Sequence, residues 1–148
     1  MNKTTTSLNE LIEVLNDGVK FYADAAVTTS NGIYKNLFQR MASTKRAIVA
    51  DLKAEVAYHG EKPSDDGTLA GALRQTYTEL TAKLSDKPDA KYVDQLEQSE
   101  DRILHAFQDA LTLSDKAEVR QIAQNYLPEI KRMHNEMHEL KKDLHRES

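Results

Sequence analysis

The chain predicts an all-α protein, an antiparallel four-helix bundle with one long helical crossover. Three observations carry this. Apolar residues recur three and four apart over long stretches, and no stretch shows the alternation of a strand. Turn and cap residues separate these stretches cleanly. The connectors alternate between short and long, which constrains the order in which the helices pack.

Ser7-Leu8-Asn9-Glu10 has the form of a capping box, so the first helix is expected to start near Leu8. Leu8, Leu11, Leu15, Val19, Tyr22 and Ala26 form its buried stripe. Thr28-Thr29-Ser30-Asn31-Gly32 is a turn that supplies the next cap. The second helix carries Tyr34, Phe38, Met41, Ile48, Leu52 and Val56. It stops at Gly60, a natural residue for the left-handed end of a helix, with Pro63 beyond. Ser64-Asp65-Asp66-Gly67 is a loop and cap. A shorter helix follows from about Leu69 to Leu84, with Leu69, Leu73, Tyr77, Leu80 and Leu84 on one side. Asp86-Lys87-Pro88-Asp89 starts the next helix, striped by Val93, Leu96, Ile103, Leu104, Phe107 and Leu111. Asp115-Lys116-Ala117-Glu118 opens the last, with Val119, Ile122, Tyr126, Ile130, Met133, Met137, Leu140 and Leu144 inside and Pro128 expected to kink it.

The two short links make two hairpins. A helix of about 16 residues between them spans roughly 24 Å, enough to return most of the way along the bundle. The second and fourth helices would then run parallel. A plain up-down bundle with a fifth helix packed outside is the rival arrangement.

Composition narrows the function. At 148 residues the chain suits one domain, 1–148, with a core that needs no cross-links. It has no Cys, which removes thiol nucleophiles and Cys-ligated metal sites. The net charge of -4 argues against a nucleic-acid surface. The late basic residues Lys131, Arg132, Lys141, Lys142 and Arg146 are interleaved with acidic ones and read as a solvated face. Met1–Ser7 has no apolar secretory core, and no stretch is long and apolar enough to span a membrane. The expected address is cytoplasmic, with no membrane and no nucleic-acid partner.

Leu8-Asn9-Glu10-Leu11-Ile12, Asp17-Gly18 and Phe21-Tyr22, together with Leu69-Ala70-Gly71-Ala72-Leu73, Glu100-Asp101, Leu127-Pro128-Glu129-Ile130-Lys131 and His134, form a set. By these residues the chain resembles a family of uncharacterised bacterial four-helix-bundle proteins in the ferritin-like superfamily. The resemblance implies a ferritin-like, dimeric bundle and no substrate.

A di-iron bundle needs a Glu from each of two helices and Glu-x-x-His from the other two. The first helix offers Leu15, Gly18, Val19 and Tyr22 at inward positions, with Glu13, Asp17 and Asp24 to the side. The second has Lys45 and Ile48 where Glu and His belong. The fourth has Glu100 on its stripe. The last has Lys131 and His134, so the His is kept and the Glu replaced. This is too few donors for a di-iron centre, and no catalytic or cofactor-binding residue is expected.

His134 and His138 stand four apart on one helix edge and could clamp zinc, and Glu100 is the remaining interior donor. These three are the metal candidates in a chain expected to hold none, with iron or zinc as the alternative. Glu136 lies one place too late for a metalloprotease helix. His105 lacks the pattern of a phosphoryl-accepting histidine; His59 and His145 suit helix ends.

The leading expectation is a non-catalytic bundle that works by self-association or partner binding. A metal-binding or oxidase-type bundle with an irregular site is the alternative. Ile12, Phe21 and Val27, off the main stripe of the first helix, are the expected dimer face. Lys45 and Glu100 both fall on buried stripes. Either the ammonium takes a metal's place and neutralises Glu100, or Lys45 snorkels to solvent.

Overall fold

In the computed structural model, which describes residues 2–146, the chain is all-α: α1 (Lys3–Thr28), α2 (Gly32–Tyr58), α3 (Leu69–Lys83), α4 (Pro88–Leu113) and α5 (Ala117–Arg146). The described residues contain no strand.

The helices begin where side chains can satisfy their free amides. The Asn2 side chain accepts from Thr5 N and the Asn31 side chain from Ile33 N and Tyr34 N. Thr68 Oγ1 accepts from Gly71 N, and Pro88 sits at the start of α4, where its missing N–H costs nothing. α1 therefore starts at Lys3 and not near Leu8, because Asn2 caps a turn that the polar threonines do not break. Thr5 is itself fully buried, and its hydroxyl donates to Asn2 O. At the other end of the hairpin, Gly60 takes φ 75, the left-handed conformation that terminates α2. α5 runs unbroken through Pro128.

Hydrogen bonds and ion pairs give the helix directions. Arg40 meets Glu136, Asp51 meets Tyr126 and His59 meets Glu118, so α2 and α5 run in opposite senses. Asp101 meets His134 and Asp94 meets Lys141 and His145, so α4 and α5 do too. Thr28 meets Tyr92 and Tyr22 meets Glu100, which opposes α1 to α4. The loop after α2 runs back along α1: Asn9 bonds Lys62 O and Ser64 N, Asn16 bonds Asp66 O, and Asp17 bonds Thr68. α3 continues in that direction, with Gln75 Nε2 donating to Asp24.

The core is drawn from α1, α2, α4 and α5, with Ala82 of α3 at its margin. Leu8, Leu15, Tyr22, Phe38, Leu52, Leu96, Ile103, Phe107, Ile130 and Met133 are fully enclosed. α1 is buried more widely than its stripe suggests. Ile12 (0 % exposed) and Phe21 (3 %) belong to this core and are not a dimer face, while Val27 is 82 % exposed. A helix with neighbours on two sides buries more than one line of residues, which a three-and-four spacing cannot show.

Candidate functional site

Two places in this fold are chemically unusual: its centre and the outer face of α3.

At the centre, Lys45 of α2 is completely buried and so is Glu100 of α4. Lys45 Nζ donates to Glu100 Oε2 at 2.7 Å and to Met133 Sδ at 3.4 Å, and it stands 4.6 Å from the centroid of the Tyr22 ring. Tyr22 Oη donates to the same Glu100 oxygen at 2.6 Å. One carboxylate, one weak thioether acceptor and one π face thus surround the ammonium. Lys45 does not snorkel. Burial pushes its pKa down, against the pull of Glu100. Burial, with the Glu100 charge second, pushes Tyr22 well above its ordinary value, so its hydroxyl stays a donor.

Gly18 makes the arrangement possible. A Cβ there would lie 3.1 Å from Lys45 Cδ and Cε, so the absence of a side chain on α1 is the room in which the lysine stem lies. Glu100 Oε1 is buried without a hydrogen-bond partner among the described residues.

The centre does not offer the donors that two iron ions need. Toward it α1 supplies Gly18 and Tyr22, α2 Lys45, α4 Glu100 and α5 Met133. The inward turn of α5 is Ile130 and Met133, both fully buried, and not Lys131 and His134. One residue's step rotates a helix by about 100°, so the histidine read as the surviving ligand lies outside instead.

The three metal candidates are therefore not brought together. Glu100 is central. His134 and His138 lie on the outer edge of α5, where His134 Nε2 is 2.5 Å from Asp101 Oδ1 and His138 Nδ1 is 3.6 Å from Glu97 Oε1. His59 pairs with Glu118 at 2.8 Å.

α3 is the second unusual place. It packs with Gly71, Thr78 and Ala82 inward. Leu69 (81 % exposed), Leu73 (67 %), Tyr77 (69 %), Leu80 (58 %) and Leu84 just beyond it (90 %) all face out. Small residues on the buried side let the helix lie close. Asp17, 4 % exposed, fixes its start: the carboxylate accepts from Thr68 N at 2.8 Å and Thr68 Oγ1 at 2.6 Å, next to the positive end of the helix. A Cβ on Gly71 would lie 2.2 Å from Asp17 Oδ1, so any larger residue would have to displace that carboxylate. By spacing alone Asp17 falls to the side of the α1 stripe. The available signal was its place beside Gly18, with a glycine two residues into the apolar stripe of α3.

A family model, described as a domain of unknown function (DUF2383), matches residues 3–113. The chain belongs to the DUF2383 family. The match runs from the start of α1 to the end of α4 and so takes in Asp17, Gly18, Tyr22, Lys45, Gly71 and Glu100, while α5 lies beyond it. No curated protein matches the chain. Among solved structures it is similar to that of a conserved hypothetical protein, rv2844, from Mycobacterium tuberculosis. The TM-score is 0.71 at 12% identity, over 95% of this chain and 99% of that one. At that identity the likeness is one of helical fold alone. No helix among the described residues of this DUF2383 chain is long and apolar enough to cross a membrane.

Proposed function

We propose that this DUF2383 protein is a non-catalytic, ferritin-like four-helix bundle that works by association with a second copy of itself. α1, α2, α4 and α5 form the bundle and α3 is the crossover. The helix senses support this reading, because α2 and α4 both run opposite to α5. In it Lys45 takes the place of metal, neutralising Glu100 where an iron centre would need further carboxylates, and no di-iron centre assembles.

The observation that carries the reading is the outward apolar stripe of α3. Four or five large apolar side chains along about 22 Å of one helix exceed the scattered exposure normal for a surface. The stripe is also self-complementary. Leu73, Tyr77, Leu80 and Leu84 are spaced four, three and four apart, the seam of a helix pair. In an antiparallel pairing related by a two-fold axis, Leu73 meets Leu84 of the second copy and Tyr77 meets its Leu80. All four then recur in two kinds of layer. An isologous interface requires such a match of a surface with itself.

Light scattering on the native chain and on a Leu73→Lys, Leu80→Lys variant tests this. The native chain is expected to have twice the mass of the variant, with unchanged helix content. A native chain that stays monomeric over a wide concentration range contradicts the proposal. Metal analysis of protein purified without a His tag tests the alternative, a metal-binding or oxidase-type bundle with an irregular site; stoichiometric iron, manganese or zinc held at the bundle centre would revive it.

A further inference from the structure

The outer edge between α4 and α5 carries a cluster used by neither the core pair nor the α3 face. Glu97 and Asp101 stand one turn apart on α4, His134 and His138 one turn apart on α5. Because the helices run in opposite senses, the pairs meet in register, Asp101 with His134 and Glu97 with His138. The two rings are stacked, with planes 6° apart and centroids 6.2 Å apart, and they face the α4 carboxylates through different nitrogens, Nε2 of His134 and Nδ1 of His138. One donor atom from each of Glu97, Asp101 and His134 lies within 4.8 Å of the others. Lys141 Nζ, 3.3 Å from Glu97 Oε2, holds that carboxylate by its second oxygen. The side chains of Glu97 and His134 are only 13% and 21% exposed.

We propose that Glu97, Asp101 and His134, with His138 as fourth donor, bind one divalent cation of the zinc class and thereby clamp α4 to α5. Metal–donor bonds of about 2.0–2.2 Å put tetrahedral donors roughly 3.3 Å apart. Closing to that spacing asks the three side chains to rotate, and they have room to do so, being partly exposed. Imidazole nitrogen beside carboxylate oxygen favours zinc over calcium or magnesium, which want six or more oxygens. The hydrogen bond between His134 and Asp101 holds those two groups together before the cation arrives, and His138 Nδ1 stands 3.6 Å from Glu97 Oε1 beside them. The cation then replaces that hydrogen bond as the shared partner. The site lies outside the bundle centre and does not depend on the pairing of α3.

Calorimetric titration with zinc chloride of tag-free, chelator-stripped protein tests the site, with thermal melts in parallel. One equivalent is expected to bind at micromolar or tighter Kd, and excess zinc to raise Tm by mass action. His134→Ala and Asp101→Asn are each expected to weaken binding about tenfold or more, with helix content unchanged by circular dichroism. His59→Ala, at the far end of α2 where the ring pairs with Glu118, is expected to leave it intact. Absence of saturable binding below millimolar zinc, or equal binding by His134→Ala and the native chain, overturns the proposal.

Discussion

At Lys45, burial and pairing pull in opposite directions. Removing an ammonium from water costs several kcal/mol, and only a close, well-bonded partner offsets it. Glu100 at 2.7 Å, the Met133 sulfur and the Tyr22 ring are those partners. A pair of this kind is costly to break and cheap to remove whole. Lys45→Met alone is expected to destabilise the protein by about 3 kcal/mol, by stranding the Glu100 carboxylate. Lys45→Met with Glu100→Gln is expected to recover much of that. Chemical denaturation of the four proteins at neutral pH checks it; additivity within error would mean that the two charges do not depend on each other. Both residues were legible in the sequence, because each falls on a stripe of apolar positions and a charge there has to be answered. Their partners were not. Periodicity says which residues face inward but not at what height or rotation they meet. So from spacing Tyr22 reads as core filling, and the Glu-x-x-His register puts His134 where Met133 lies.

At the level of the helix, α3 shows how a short element is held by its few small residues. Its existence, start and end were legible from Gly67, Pro88 and the apolar spacing between them. Its orientation was not, since an apolar stripe marks a helix without saying whether that face is buried or, as here, exposed. The buried side is written in Gly71, Thr78 and Ala82, which carry no strong signal singly. Gly71→Ala separates two effects. Alanine favours a helix over glycine by about 1 kcal/mol. Here, however, its Cβ would fall 2.2–2.5 Å from three atoms of the Asp17 carboxylate, which two bonds from Thr68 hold in place. The clash is expected to win. The variant should lose about 1–3 kcal/mol and exchange the amide hydrogens of α3 faster, with α1 and α4 little changed. A gain in stability would show that α3 docks loosely.

For the whole molecule, the two unusual places support one account. The centre holds a buried lysine–glutamate pair, and the surface keeps an apolar seam that the bundle itself does not cover. The all-helical class and the order of the elements could be read from caps and spacing. The exposed apolar face could not, because Ile12 and Phe21 look spare on α1 and are core, while the exposed apolar residues lie on α3. Pairing of α3 with a second copy is the central claim, and the chain's lack of cysteine offers a direct measurement of it. A Leu73→Cys protein mixed with a Leu84→Cys protein under mild oxidation should form a disulfide-linked heterodimer. It should form faster than either protein links to itself, and faster than a Tyr58→Cys control exposed elsewhere. Cross-linking no faster than that control would contradict the pairing, and with it the account of what this protein does.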